Sequence, residues 1–322
     1  MNDIGRKITN KIIELHGSTD FMIAFLPYKR SMWNSMQSVY EECIASGIDA
    51  HVFPIPYYRM KSGRQVDYID NDRDLFGDIA EDIDTLASLH PNYIVIHYQY
   101  QDHNAVTNML PEYFTSALKE RYHCKIIFIP YGIGLGEFNR HFIIQPGLYD
   151  IDYAFVESEE NAQQFIEEWA KHGVDFTGRV FGYGSPKLDM ATSNTGTYPE
   201  EWRHIIGDRP VTLVATSLST YLVDPVQAIN SYKAAVVNEV RDGNAVIFRP
   251  HPLLRTTINA MRSTSEPLYN SLMESFRNME HVIIDESEYL ENAFHVADKL
   301  VSDPSSLISM WLPTGKPLGW LP

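Results

Sequence analysis

Cysteine and long apolar runs are both scarce in this chain. Only two cysteines, Cys43 and Cys124, occur among the 322 residues, too few for a disulfide framework and without the spacing of metal ligands. We expect two buried, reduced thiols and no metal site. No stretch approaches the roughly eighteen apolar residues of a membrane-spanning helix, and the first residues lack the charged-then-apolar pattern of a signal peptide. The sequence therefore predicts a cytoplasmic protein.

Positive charge is scarce as well. Lysine and arginine total 26 against 42 acidic residues, a formal net charge of -16. Nucleic-acid binding requires clustered Lys and Arg to neutralise phosphates, so we expect no nucleic-acid partner. An anionic ligand would need a local basic pocket. The acidic stretch from Asp67 to Asp84 is interpreted as a solvated loop and helix face rather than a metal site.

Short Val, Ile and Phe runs alternate with longer helical patterns along the whole chain, which is typical of βαβ units around a parallel sheet. Strands are predicted at residues 21–27, 48–54, 93–97, 125–130, 153–156, 179–181, 211–215, 245–248, 281–284 and 299–301. Helices are predicted at residues 32–46, 159–172, 225–241 and 265–277. The Ser/Thr/Asn/Gly-rich segment Met190–Tyr198 predicts a linker.

The expected fold class is α/β, with two doubly wound, Rossmann-like domains that face a cleft. The domains are predicted to span residues 1–190 and 191–322. The chain ends at Gly315–Pro322, where a further strand and helix would be expected. The second domain is therefore expected to be truncated or atypical.

In the second half of the chain, two polar clusters directly follow apolar runs. They are therefore expected at the carboxyl ends of parallel strands, which is where open α/β sheets bind ligands. In Arg249-Pro250-His251-Pro252, the arginine offers a planar fork of donors suited to phosphate, and the histidine can donate a hydrogen bond or a proton. Together they suit a diphosphate leaving group. The alternative is that Arg249 pairs with a surface carboxylate and His251 caps a neighbouring helix.

The second cluster, Asp303-Pro304-Ser305-Ser306, precedes an apolar helical pattern. Ser305 and Ser306 are therefore expected at a helix N-terminus, where hydroxyls and backbone N–H groups bind anions. The alternative is a plain N-cap, and both can hold at once.

The first half contains further candidates after its predicted strands. His97 is at the end of the predicted strand over residues 93–97, and Asp102 could orient a histidine as a general base for proton removal from a hydroxyl. Metal ligation, or a structural role in hydrogen bonding, is the alternative for this segment. Lys29 and Arg30 could face a phosphate-bearing acceptor or simply be solvated. The glycines of residues 132–136 lack the spacing of a dinucleotide loop, so no nicotinamide or flavin cofactor is expected.

Together the motifs resemble the CDP-glycerol glycerophosphotransferase family, the enzymes of teichoic-acid-type polymer synthesis with the glycosyltransferase-B fold. The resemblance runs over most of the chain and is carried by five ordered motifs: residues 25–29 with Met32-Trp33, Pro54-Ile55-Pro56-Tyr57-Tyr58, Gly184-Ser185-Pro186-Lys187-Leu188-Asp189, Arg249-Pro250-His251-Pro252, and Asp303-Pro304-Ser305-Ser306 with Gly315-Lys316-Pro317.

The resemblance implies a donor domain at residues 191–322 that binds a CDP-linked alcohol, with diphosphate contacts from Arg249, His251, Asp303, Ser305 and Ser306. It implies an acceptor-side domain at residues 1–190 for a polyol-phosphate, glycan or lipid-linked acceptor, with weak or indirect membrane association at the inner face. The expected residues of the acceptor side or cleft are Lys29, Arg30, Tyr131, Gly184 and Ser185.

One departure from the family pattern concerns the base. Family members carry Trp-His-Gly after an N-domain strand, and this chain has Pro130-Tyr131-Gly132. Tyrosine is a poor base unless its pKa is lowered, so His97 or His103 would substitute, or transfer would be altered. The alternatives are a nucleotide-sugar glycosyltransferase or epimerase of the same fold, and an inactive nucleotide-binding scaffold protein.

Overall fold

The computed structural model describes residues 3–61, 65–133, 140–193 and 198–322. The chain divides into two compact units, unit 1 of Met1–Met60 with Val66–Met190, and unit 2 of Lys61–Gln65 with Ala191–Pro322. Part of the predicted linker, residues 194–197, and part of the glycine-rich stretch, residues 134–136, lie outside the described residues.

Unit 1 contains nine of the strands in the described ranges: β1 Met22–Phe25, β2 Asp49–Val52, β3 Tyr57–Lys61, β4 Gln65–Asp70, β5 Tyr93–Ile96, β6 Thr107–Met109, β7 Lys125–Phe128, β8 Tyr153–Val156 and β9 Val180–Gly182. Six of them form a parallel sheet in the order β2-β1-β5-β7-β8-β9. Successive residues of a strand point to opposite faces. Met22 and Ala24 therefore enter one apolar core, and Ile23 and Phe25 enter another, which explains why these strands read as continuous apolar runs.

The helices that accompany this sheet are α1 Asp3–His16, α2 Gln37–Ala45, α3 Leu86–Leu89, α4 Thr115–Tyr122, α5 Arg140–Ile143, α6 Glu159–Ala170 and α7 Lys187–Thr192. The predicted helix over residues 32–46 is interrupted, because Arg30–Ser35 is a 3₁₀ helix and Met36 has φ -124°. The Ser35 hydroxyl donates to the Met32 carbonyl at 2.8 Å, a side-chain bond that competes with regular helix bonding.

A small second sheet in unit 1 corrects the interpretation of the acidic stretch. Its strand order is β4-β3-β6, with β3 antiparallel to β6. Asp67 and Asp70 lie in β4 rather than in a loop or on a helix face. Most side chains of β4 are exposed, so carboxylates occupy this strand without the cost of burial.

Unit 2 is built on the five parallel strands β10 Val211–Ala215, β11 Ala245–Arg249, β12 Val282–Ile284, β13 Lys299–Ser302 and β14 Leu318–Trp320, in the order β12-β11-β10-β13-β14. Its helices are α8 Glu200–Ile206, α9 Leu218–Val223, α10 Pro225–Arg241, α11 Leu254–Met261, α12 Glu266–Arg277, α13 Leu290–Val296 and α14 Ser306–Trp311. The strand that was expected to be missing at the end of the chain is present as β14.

Both sheets have a topological switch point, where the strand order reverses. In unit 1 the reversal falls between β1 and β5, and in unit 2 it falls between β10 and β13. Open α/β sheets bind ligands beyond the carboxyl ends of the strands at such a point. The predicted α/β class with two doubly wound parallel sheets is confirmed.

Among the helices in the described ranges, none combines the length and the apolar character that a bilayer crossing requires.

Candidate functional site

The switch point of unit 2 is bridged by a serine and an aspartate. Ser217 follows β10 and Asp303 follows β13. The backbone N–H and the hydroxyl of Ser217 both donate to Asp303 Oδ2, at 3.1 and 2.7 Å. Both side chains are buried. The two strand ends are therefore joined at the edge of the sheet where a doubly wound fold binds its ligand.

The other oxygen of that carboxylate has no partner in the part of the chain that the structure describes. Asp303 Oδ1 is buried and accepts no hydrogen bond from any residue that the structure describes. Buried polar atoms without a partner are uncommon in native proteins, and each calls for an explanation. A hydroxyl or amine of a ligand at this edge would satisfy Asp303 Oδ1.

The serines beside Asp303 form a hydroxyl cluster. Ser302 Oγ donates to the Asp303 carbonyl at 2.9 Å and lies 3.3 Å from Ser305 Oγ. Ser305 stands at the N-cap position of α14, but its side chain makes no capping hydrogen bond. The hydroxyl of Ser305 therefore does not act as a plain N-cap. Ser306, the first residue of α14, is exposed.

Arg249 is held by a buried carboxylate. Its guanidinium forms an ion pair with Asp285, and the two side chains are only 3% and 1% exposed. A second nitrogen donates to the Ser287 carbonyl at 2.8 Å. The alternative interpretation from sequence was pairing with a surface carboxylate, whereas the carboxylate that pairs with Arg249 is buried. These contacts engage two nitrogens of the guanidinium, and the role of Arg249 in diphosphate binding stays a prediction.

His251 is oriented by its own turn. Its backbone N–H donates to Thr216 Oγ1 at 3.2 Å, and its Nδ1 accepts from the backbone N–H of Leu253 at 3.1 Å. Leu253 is the N-cap of α11. A neutral imidazole that accepts at Nδ1 carries its proton on Nε2. His251 is therefore set up as a hydrogen-bond donor through Nε2, which suits a phosphate oxygen.

The local charge at this edge is not positive. Asp285 cancels the charge of Arg249, and Asp303 adds a further buried carboxylate. A diphosphate at this edge would be bound by directed hydrogen bonds from hydroxyls, backbone N–H groups and His251 rather than by net charge.

In unit 1, His97 occupies the switch point. The backbone N–H of Tyr28, which follows β1, donates to His97 Nε2 at 2.8 Å, and Ser35 Oγ lies 3.0 Å from Nδ1. The side chain is fully buried. Burial, with a contribution from the positive charge of Lys187, lowers the pKa of His97 to about 3. Both ring nitrogens of this neutral imidazole are engaged, so it could accept a substrate proton only by giving up the bond from Tyr28.

Tyr131 is the residue that replaces the histidine of the family motif. Its backbone N–H donates to the His97 carbonyl at 3.3 Å, and its ring lies 6.4 Å from the imidazole ring. Burial raises the pKa of Tyr131. At neutral pH this tyrosine is therefore ionised even less than a solvated phenol, so little phenolate is available to act as a base. Its ring instead extends an aromatic group in which Tyr98 stacks on Tyr28 at 3.8 Å.

Lys29 is buried in a polar network rather than solvated. Its Nζ donates to Tyr57 Oη at 2.7 Å and lies 4.3 Å from the centre of that ring. Tyr57 Oη donates in turn to Asp72 Oδ1 at 2.8 Å, and the backbone N–H of Arg30 donates to the other oxygen of Asp72 at 2.8 Å. This network fixes the connection after β1. A phosphate contact by Lys29 or Arg30 stays a prediction.

Asp102 does orient a histidine, but the histidine is His103. Asp102 Oδ1 lies 2.6 Å from His103 Nδ1, with the side chains 58% and 61% exposed. An accessible carboxylate–imidazole pair is an arrangement that can remove a proton from a hydroxyl. A catalytic role for this pair stays a prediction.

The turn after β9 brings Gly184, Ser185 and Lys187 to the same edge of the unit 1 sheet. Gly184 has φ +103°, a conformation that L side chains rarely adopt. Ser185 and Lys187 are both buried. Sequence reasoning assigned no role to Lys187, although it stands inside a motif that was singled out.

Other residues of the unit 2 edge were also missed. Thr216 and Ser217 follow β10 directly, and Asp285 follows β12. The signal was available in the sequence, because each polar residue comes immediately after a predicted strand of an open parallel sheet. No three His, Cys, Asp or Glu side chains in the described part of the chain are grouped so that they could hold a metal ion.

No model of a known protein family and no curated protein sequence matches this chain. Solved structures do. A structure of MnaA with UDP from S. aureus has a TM-score of 0.55 at 10% identity, covering 92% of this chain and 77% of that one. The UDP-GlcNAc 2-epimerase of Methanocaldococcus jannaschii, in complex with UDP-GlcNAc and UDP, has a TM-score of 0.54 at 12% identity, covering 93% and 83%.

The wall teichoic acid polymerase TagF has a TM-score of 0.48 at 14% identity, covering 97% of this chain and 74% of that one. A TM-score below 0.5 supports no inference about this chain. The two higher-scoring similarities show the fold alone, because their sequence identities are far below 25%. They confirm the glycosyltransferase-B type of fold that the motifs implied.

Proposed function

We propose that this chain is an enzyme that binds a nucleotide-diphosphate-linked substrate at the carboxyl edge of the unit 2 sheet. The observation that carries the proposal is the bridge between Ser217 and Asp303 across the switch point. This bridge leaves the buried oxygen Asp303 Oδ1 in need of a hydrogen-bond donor. His251 and the serine hydroxyls follow strands of the same sheet. A nucleotide-linked alcohol or sugar offers both phosphate oxygens and hydroxyl donors.

The sequence motifs favour CDP-glycerol, or a related CDP-linked alcohol, as that substrate. The proposed reaction moves glycerol phosphate to a hydroxyl of a polyol-phosphate, glycan or lipid-linked acceptor, with unit 1 as the acceptor-binding unit. Peripheral association with a membrane would follow from a lipid-linked acceptor.

In this reaction the acceptor oxygen attacks the β-phosphorus. The bond between that phosphorus and the bridging oxygen breaks, and CMP leaves with the electron pair. His251 Nε2–H and the hydroxyls of Ser305 and Ser306 would donate to the phosphate oxygens as charge moves onto the leaving group. Asp303 Oδ1 would accept from a hydroxyl of the donor. Arg249 is proposed to support the turn that carries His251.

The acceptor hydroxyl has to lose a proton, and unit 1 offers two candidate bases. His97 would have to give up the hydrogen bond from Tyr28 to take it, whereas the pair of Asp102 and His103 is already accessible. The accessible pair is therefore the better candidate for the base. The variants His97→Gln and His103→Gln distinguish the two candidates, because loss of the base lowers turnover without changing the affinity for the donor.

A nucleotide-sugar epimerase is the second candidate. The observation in its favour is the similarity in fold to the UDP-GlcNAc 2-epimerase of M. jannaschii at a TM-score of 0.54. Fold does not decide chemistry, so the two candidates are separated by the nucleotide and attached group that the site binds and by the reaction that follows.

Isothermal titration calorimetry with CDP-glycerol, CDP, UDP-GlcNAc and UDP tests the proposal. The expected result is selective binding of the cytidine ligands, weakened about tenfold or more in His251→Ala and in Ser305→Ala. A matched control is Ser275→Ala, which removes a half-buried hydroxyl that donates to Leu272 within α12. Preferential binding of UDP-GlcNAc would support the epimerase, and binding of neither class by the folded protein would overturn both enzyme proposals in favour of a scaffold.

A further inference from the structure

Lys187 is a buried lysine without a counter-charge. Its residue is only 8% exposed, yet among the residues that the structure describes its ammonium has no hydrogen-bond acceptor and no ion-pair partner. Burying a charged group is costly unless the charge is paired and hydrogen-bonded. Lysines are therefore almost never buried without a partner.

The other buried lysine of unit 1 shows what compensation looks like in this fold. Lys29, 3% exposed, donates to Tyr57 Oη and lies over the ring of the same tyrosine, which is in turn bonded to Asp72. Lys187 has none of these contacts. Desolvation is the cause that lowers its pKa to about 8, so it is still largely protonated at neutral pH.

The backbone that carries Lys187 is fixed by contacts on both sides. Gly184 has φ +103°, which L side chains rarely adopt, and a Cβ there would lie 2.9 Å from the end of the Ile4 side chain of α1. Two residues after the lysine, the Asp189 carboxylate accepts from the backbone N–H groups of Ile4 and Gly5 at 3.1 and 2.8 Å. The lysine is therefore held in place, and its position is not that of a loosely packed surface chain.

A second unsatisfied group lies on the same turn. Ser185 Oγ is buried, the residue being 5% exposed, and has no hydrogen-bond partner among the described residues. The turn follows β9 at the carboxyl edge of the unit 1 sheet, and Lys187 is near enough to His97 for its charge to lower the pKa of that imidazole. An unpaired cation and an unpaired hydroxyl thus occur together at the edge where such sheets bind ligands.

We propose that Lys187 and Ser185 form an anion site that binds the phosphate group of the acceptor substrate. A phosphate oxygen would give the ammonium its missing counter-charge and the hydroxyl its missing acceptor, and lysine is a common phosphate ligand. The identity of the anion as an acceptor phosphate rests on the proposed function, whereas the site itself does not. Neither Lys187 nor Ser185 needs the nucleotide-linked donor substrate to be bound in order to bind an anion.

The test is binding of inorganic phosphate and of glycerol 3-phosphate to the full chain, by calorimetry in chloride buffer of constant ionic strength. Lys187→Met keeps most of the length of the buried side chain and removes its charge, and Ser185→Ala removes the hydroxyl. We expect both ligands to bind the wild type, about tenfold or more weakly to Lys187→Met and several-fold more weakly to Ser185→Ala. The matched control is Lys119→Met, which removes a lysine of the same unit that is paired with Asp152, and its phosphate affinity should equal that of the wild type.

CDP binding is measured on the same variants to separate this proposal from the proposed function. Retained CDP binding by Lys187→Met with lost phosphate binding supports the anion site and shows that the variant is folded. Unchanged phosphate affinity in Lys187→Met, or no phosphate binding by the folded wild type, overturns the site. If the wild type binds inorganic phosphate but not glycerol 3-phosphate, the identification of the anion as the acceptor phosphate is overturned. If the wild type binds phosphate but not CDP, the result counts against the proposed function and leaves the anion site standing.

Discussion

The buried ion pair between Arg249 and Asp285 makes a quantitative test of what this arginine does. In the variant Arg249→Met, Asp285 keeps a buried charge with no cation beside it, since its side chain is only 1% exposed. Breaking a buried pair by removing one partner costs about 3–5 kcal/mol. For a unit of this size the unfolding midpoint should fall by about 10 °C or more.

The double variant Arg249→Met with Asp285→Leu removes both charges and leaves apolar side chains in their place. Such replacements are often close to neutral, so we expect the free energy of unfolding to return to within about 1–2 kcal/mol of the wild type. The single variant should therefore be less stable than the double variant by about 2–3 kcal/mol, which measures the cost of leaving Asp285 unpaired. Arg241→Met is the control, because Arg241 pairs with Asp242 at 3.8 Å on the surface and its loss should cost less than about 1 kcal/mol.

Calorimetric unfolding and CDP titration on the same four proteins give the result. If Arg249 acts through the fold, the double variant regains stability and binds CDP within about threefold of the wild type, a difference under 1 kcal/mol. A double variant that is stable and folded but binds CDP about a hundredfold more weakly would refute this reasoning, because it would show that the guanidinium itself contacts the diphosphate. A double variant as unstable as the single one would show that the unpaired charge is not the source of the loss.

Three further predictions follow from single residues. The buried charge of Lys187 costs stability while the lysine is protonated in both states, below its folded pKa of about 8. Because that pKa is lowered from 10.5, the cost disappears as the pH rises from 8 to 10.5. In urea unfolding, the free energy of unfolding of Lys187→Met should therefore exceed that of the wild type by about 3 kcal/mol at pH 7 and by little at pH 10.5. A difference that stays constant with pH would contradict the assignment. Gly182→Ala would place a Cβ 2.0 Å from a backbone carbon at the start of α6 and should cost about 3 kcal/mol or more, whereas Gly132→Ala, with nothing described within 4 Å of its Cβ, should cost under about 1 kcal/mol by the same measurement. Burial raises the pKa of Cys43 to about 12 and that of Cys124 to about 11. At pH 8, iodoacetamide should therefore modify neither cysteine in the native protein and both after unfolding, as measured by mass spectrometry. Rapid labelling of the native protein would contradict the burial of these thiols.

Local sequence determined some elements completely. The strand Val211–Ala215 and the helix Pro225–Arg241 have the predicted bounds. The helix start is encoded by Asp224, whose carboxylate accepts from the N–H groups of Val226 and Gln227 at 3.0 Å, and by proline at the first helical position. Where capping and apolar pattern agree, tertiary structure adds little to the prediction.

Other elements depend on residues far along the chain. The helix expected over residues 32–46 is interrupted where Ser35 meets His97, 62 residues away. The strand Leu318–Trp320 contains a central glycine and follows a proline, both unfavourable signals for a strand. It forms because it can pair with β13, where Gly319 fits against Val301.

The candidate site shows the same limit. Position after a strand correctly placed His251 and Asp303 at the carboxyl edge of one sheet, because connectivity alone determines where strand ends lie. It could not show that Asp285, 36 residues from Arg249, would pair with that arginine. Nor could it show that Lys187 would be buried without a partner, since burial depends on the packing of α1 against the turn.

The most direct measurement of the central claim is ³¹P NMR of CDP-glycerol incubated with the protein and an acceptor that ends in glycerol phosphate. The account predicts that the diphosphate signals decay while CMP and a new phosphodiester appear in equal amounts, and that His251→Ala slows this by about a hundredfold or more. Unchanged CDP-glycerol, in a preparation that converts UDP-GlcNAc to its 2-epimer, would contradict it and establish the epimerase instead.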